Sequence, residues 1–145
     1  MTTEFCKKLG IEHPIVQAPI GNAAVPQLAA AVSNAHALGM LALTWASDVA
    51  AAVGETAALT RRPFGGNLVL AWDQHRRLDE ALGAGLRIVS LTWGDPEATW
   101  RKPMTPAPWF FIRWVVPRGL AAPRPLASMS SWRRAGRLAV TSGAR

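Results

Sequence analysis

Residues 62–96 read RPFGGNLVLAWDQHRRLDEALGAGLRIVSLTWGDP, and the grammar of this stretch decides the fold. An apolar run from Asn67 to Leu70 is followed by Asp73, then by Leu78 and Leu82, then by Gly83 and Gly85, and then by a second apolar run from Arg87 to Leu91. Leu78 and Leu82 stand at i and i+4 and share one face of a helix, which leaves Gln74, Arg76, Arg77 and Glu80 for a solvated face. Asp73 can cap that helix, because a carboxylate accepts from the N–H groups that the first turn leaves without partners. Gly83 and Gly85 stop it, and Gly94 and Pro96 mark a loop after the second run. Two short apolar runs joined by a helix predict a parallel βαβ unit.

The same grammar extends toward the N-terminus. Met40 to Thr44 predicts a strand, after which Ser47 or Asp48 caps a helix whose apolar face is Val49, Ala52 and Val53. Ile15 to Ala18, within PIVQAPIG, predicts the first strand, ended by Pro19, which cannot donate to a ladder, and by Gly21. Pro26 suits the first turn of a following helix, and Leu28, Ala31, Val32 and Ala35 recur at helical spacing. Four strands and three helices in alternation give an α/β fold.

Length and composition bound this reading. At 145 residues the chain is too short for a complete (β/α)8 barrel of about 250 residues. Half of it is hydrophobic, enough for a sizeable core. Residues 1–96 hold 7 Lys+Arg against 8 Asp+Glu, whereas residues 97–145 hold 9 against 1, with 6 of the 11 prolines and 4 of the 7 tryptophans. After Pro96 neither period 2 nor period 3.6 persists, so the expected organisation is a structured part over 1–96 and a poorly ordered tail over 97–145 without a place in the sheet. Cys6 is a single cysteine, which excludes an internal disulfide and a Cys-rich metal site and fits a reducing, cytoplasmic setting. The segment MTTEFCKKLG has Glu4 and no apolar core, so no secretory signal is expected there. No run approaches the ~20 apolar residues of a membrane span, the richest, Pro108 to Val116, being interrupted by Arg113.

The segments LGIEHPIVQAPIG, PQLAAAVSNA, LGML, RPFGGNLVL and WGDP, taken in order, resemble the nitronate monooxygenase family over the first 96 residues. Those proteins are FMN-dependent TIM barrels, so the resemblance implies the N-terminal part, about four βα strands, of a truncated FMN-binding (β/α)8 barrel. It implies an oxidoreductase that takes alkyl nitronates or nitroalkanes and dioxygen to carbonyl compounds and nitrite. It also implies that Ala18, Pro19, Ile20 and Gly21 lay backbone against the flavin ring and that the Asn67 amide hydrogen-bonds the flavin. Ile20 and, after Gly21, Asn22 stand where the family usually has methionine and glycine, and His36 and Ala37 stand where it commonly has two glycines. Flavin-type enoyl-acyl-carrier-protein reductases share much of the pattern and give the alternative reaction. None of His13, His36 and His75 is a persuasive general base.

The tail has its own reading. Shifted by one nucleotide, with allowed codons, Thr99 to Ile112 becomes YVAEAHDAGALVLH and Ser131 to Ala144 becomes VAQGWEAGGHVRG, both similar to what the family carries after WGDP. A frame break between about Pro96 and Thr99 accounts for the arginines, prolines and tryptophans together. The family's catalytic histidine lies in the restored GGH, where this chain has Val140 and Thr141, so an inactive fragment is expected. A nucleic-acid-binding role for the basic tail, through arginines and interleaved tryptophans, is the competing reading and is disfavoured. Four strands alone would leave two open sheet edges, from which self-association is expected.

Overall fold

A computed structural model describes residues 3–94, 110–115 and 137–141. Strands β1 (Gly39–Ala42), β2 (Phe64–Val69), β3 (Ile88–Thr92) and β4 (Phe110–Val115) are parallel neighbours in chain order, and β5 (Arg137–Thr141) lies antiparallel to β4. Between them run α2 (Pro26–Asn34) before β1, α3 (Val49–Leu59) before β2 and α4 (His75–Gly83) before β3, while α1 (Glu4–Leu9) precedes them all. When parallel strands follow one another in space as in sequence, right-handed crossovers return every helix on the same side of the sheet. That is the winding of a β/α barrel, whereas a doubly wound sheet reverses its strand order. The fold is therefore α/β, the N-terminal part of a (β/α) barrel.

The helices bury one side of the sheet. Asp48 caps α3, its Oδ1 accepting from Ala51 N at 2.8 Å, and Val49, Val53 and Thr56 face inward. In α4, Leu78, Ala81 and Leu82 are buried. Val49, Val53, Leu78, Ala81 and Leu82 meet Leu41, Leu43, Leu68, Val89 and Leu91 in one cluster. A second cluster holds Cys6, Leu9, Ile11, Leu38, Met40 and Ile88, where α1 packs near the starts of the strands. The sequence reading placed no element at α1, although its punctuation is plain: Thr3 caps it, accepting from Cys6 N at 3.2 Å, and Gly10 ends it at φ +69°. Among the described residues no helix is long and apolar enough to cross a membrane.

Several expectations need correction. The predicted first strand, Ile15 to Ala18, is a single parallel bridge, Val16 to Leu38, because Pro14 and Pro19 flank it and Ile15 N turns back to His13 O. In α2 the buried residues are Ala29, Ala30 and Ser33, while Leu28 is 40% exposed. Close packing explains this, since a Cβ on Gly39 would stand 1.9 Å from Ala29 O, and only small residues fit between α2 and β1. The strand expected from Asn67 begins at Phe64, glycines included, and Gln74, expected to be wet, is the buried N-cap of α4, while Asp73 accepts from His75 N. The tail does enter the sheet through β4 and β5, which covers the β3 edge expected to be open. An unpaired parallel edge accepts an aromatic and β-branched run such as FFIRWV whatever its origin. The remainder of the expected tail, 97–109, 116–136 and 142–145, lies outside the described residues.

Candidate functional site

Because β1 to β3 are parallel, the loops that follow them gather at one edge of the sheet. Residues at alternate positions face opposite ways, so with Leu41, Leu68 and Val89 turned to the helices, the register-matched Ala42, Asn67 and Ser90 share the other face. Asn67 is only 4% exposed. Its Nδ2 donates to Ser90 Oγ at 2.8 Å, to Ser90 O at 3.2 Å and, more weakly, to Thr92 Oγ1 at 3.4 Å. These bonds fix the amide plane, and among the described residues its Oδ1 accepts no hydrogen bond.

The Ala18–Gly21 segment reaches the same edge through Gln17, a residue the sequence reading passed over. Gln17 N donates to Leu38 O at 2.9 Å, its Oε1 accepts from Met40 N at 3.1 Å, and its Nε2 donates to Met40 O at 3.1 Å and to Ala18 O at 3.0 Å. The side-chain amide thus continues the ladder to β1 where the backbone no longer can. Gly21 opens a 3-10 turn, Gly21–Ala23, at φ +34°, with nothing within 4 Å of where a Cβ would stand. Ile20 is 68% exposed. Ala42 N donates to Ala24 O at 3.3 Å, and Ala42 pairs in register with Asn67, so one strand separates the loop from the amide. The structure brings Ala18, Pro19, Ile20, Gly21 and Asn67 to one edge of the sheet.

This arrangement fits a flat heterocycle of the flavin type. An open backbone segment offers a face to lie on, and the fixed Asn67 amide, its Nδ2 engaged by Ser90 and Thr92, offers its Oδ1 as an acceptor. Among the described residues no cluster of His, Cys, Asp or Glu suits a metal.

The same edge carries three tryptophans, Trp93 of the strand-end WGDP and two that no expectation covered. Trp45 follows β1, Trp72 follows β2 and Trp93 follows β3, each at least 39% exposed. The Trp45 and Trp72 rings meet edge to face, centroids 5.4 Å apart at 66°. Their loops are tied together: Val69 N donates to Thr44 Oγ1 at 2.9 Å, and the Arg77 guanidinium donates to Ala46 O. Trp93 sits at φ +52°, and Gly94 leans on Leu70 so closely that a Cβ would stand 2.5 Å from Leu70 Cβ. The legible signal is a large apolar residue placed just past each strand end.

The histidines lie elsewhere. His36 precedes β1 at φ +67°, the left-handed conformation that glycine adopts most readily. Its Nδ1 pairs with Glu12 Oε1, which also faces Arg62 Nη1 at 3.7 Å, and the His13 ring is 6.5 Å away. His75 opens α4, its N–H donating to Asp73 Oδ1 at 3.0 Å.

A nitronate monooxygenase of Pseudomonas aeruginosa is 47% identical over 70 residues, 47% of this chain and 20% of that protein. A (3aS,4S,5R,7aS)-5-hydroxy-7a-methyl-1-oxo-octahydro-1H-indene-4-carboxyl-CoA dehydrogenase of Rhodococcus jostii is 34% identical over 94 residues, 62% of this chain and 26% of that protein. The structure of FabK from Thermotoga maritima superposes with a TM-score of 0.72 at 28% identity, over 80% of this chain and 38% of that one. The chain thus spans 20% to 26% of the length of these two curated relatives. The family described as nitronate monooxygenase matches over residues 2–97, two thirds of the sequence and the whole of the βα part, and the chain belongs to that family of oxidoreductases.

Proposed function

We propose that this chain carries the flavin-facing strands of an FMN-dependent oxidoreductase that oxidises alkyl nitronates with dioxygen to carbonyl compounds and nitrite. The observation that carries the reading is the meeting of the open Ala18–Gly21 backbone and the fixed Asn67 amide at one sheet edge, with Ala42 between them. FMN, when bound, supplies the redox chemistry, accepting electrons from the substrate and passing them to dioxygen. The chain's own residues position it: Gln17 holds the loop and Asn67 presents its Oδ1.

A nitronate is already deprotonated, so its oxidation asks for no base, whereas a neutral nitroalkane does. We read the residues after about Pro96 as a frame-shifted stretch that has lost the family's GGH histidine, which leaves this chain deficient toward nitroalkanes and weak toward FMN. We further read the protein as cytoplasmic, with self-association through open sheet edges and no nucleic-acid partner.

The test titrates FMN against the purified chain by flavin fluorescence, then measures oxygen uptake and nitrite release with a propyl nitronate. FMN binding that falls about tenfold in Asn67→Ala supports the reading, a tenfold change corresponding to ~1.4 kcal/mol. No FMN binding, or nicotinamide-dependent reduction of an enoyl thioester in place of nitronate oxidation, overturns it. Resequencing the gene from Gly94 to Arg145 decides the origin of the shift: a corrected frame that continues through GGH makes the tail an artefact and restores the histidine, and confirmation of the present codons makes the loss of the histidine genuine.

A further inference from the structure

The edge of the sheet opposite the proposed flavin site carries a feature that flavin chemistry does not use. At the N-terminal ends of β2 and β3 the structure holds a cavity of about 410 Å³, within the range of small-molecule sites. Its charged lining is Lys7, Lys8, Arg61, Arg62 and Arg87, without one acid among the lining residues. The cations come from three separate segments: the end of α1, the loop before β2 and the loop before β3. Leu9, Phe64 and Leu86 contribute an apolar floor.

Like charges gathered around one concavity repel one another, and the neighbouring acids offset them only in part. Glu4 lies 3.9 Å from Lys7 at the surface, and Glu12 lies 3.7 Å from Arg62 while also pairing with His36. Arg87 is oriented by donation to Leu82 O and Leu86 O at the end of α4. Lys8 and Arg61 have no ion pair among the described residues, and Arg61 is exposed.

We propose that this cavity is a binding site for a phosphorylated small molecule, held through its phosphate groups by Lys8, Arg61 and Arg62 above the apolar floor. Guanidinium forks match phosphate oxygens two at a time and lysines add point charge, so a diphosphate uses the donor set better than a carboxylate does. The site is independent of the flavin reading, because it lies at the other ends of the strands.

The probe is inorganic pyrophosphate, titrated calorimetrically into the full chain, with ADP and acetate run in parallel. Pyrophosphate binds and acetate does not; ADP binding more tightly than pyrophosphate assigns the floor to the organic part, and equal binding assigns recognition to the phosphates alone. In the double variant Lys8→Ala, Arg61→Ala, affinity falls at least about tenfold, as expected for losing charge-assisted hydrogen bonds. Arg61→Lys keeps the charge and loses the fork, and its affinity falls between the two. Circular dichroism shows the variants folded, since neither side chain holds the core. No pyrophosphate binding, or equal binding by wild type and the double variant, overturns the proposal.

Discussion

The two faces of β1 to β3 are built on one backbone and carry opposite chemistry. Toward the helices stand Leu41, Leu43, Leu68, Val89 and Leu91, all 2% exposed or less and packed on Val49, Val53, Leu78 and Leu82. Toward the other side, at the C-terminal half of the strands, stand Asn67, Ser90 and Thr92, joined by hydrogen bonds from a single amide. Burial of apolar area stabilises the first face in proportion to its extent, whereas the polar group on the second gains little over water once buried. The comparison teaches that stability and the capacity to hold a ligand are separated by one residue of strand register.

Substitutions can break or sharpen that separation. Leu82→Ala, on the helix side, empties a fully packed site and is expected to cost about 3–4 kcal/mol in chemical denaturation. Gly39→Ala drives a methyl toward Ala29 O, 1.9 Å from the ideal Cβ position, and is expected to cost about 2–3 kcal/mol by separating α2 from β1. Asn67→Ala, on the other face, is expected to cost only about 1 kcal/mol of stability while FMN affinity drops. A stability loss equal to that of Leu82→Ala would end the distinction between the faces. Trp72→Ala removes an exposed edge-to-face partner of Trp45, and calorimetric unfolding should change by less than about 1 kcal/mol. His36→Gly relieves a left-handed backbone and gives up the contact with Glu12, for a net gain of about 0.5 kcal/mol seen as a small rise in Tm.

Much of this was legible in single residues. Asp48 as a cap, Pro26 at a helix start and Leu78 with Leu82 on a buried face follow from local rules, and each stands where those rules put it. Other features needed the neighbours. Gly65 and Gly66 precede the strand expected from Asn67, yet they lie inside β2, where side chains on the two faces approach within 2.6 Å and 2.5 Å of where a Cβ would stand. Gln17 reads as one more strand residue, and only the position of Met40 shows that its amide continues the ladder. The lining cations of the cavity are scattered over 7–87 and become one group only when the strands align.

The sequence by itself determined the alternation of strands and helices, because periodicity, caps and breakers act over a few residues, and it carried the family's segments in order. Tertiary structure decided which face of α2 is buried, which strand ends meet, and that residues 110–115 find a partner in β3. Those outcomes depend on contacts between residues far apart in the chain, where packing against a particular neighbour overrides the local preference of either partner.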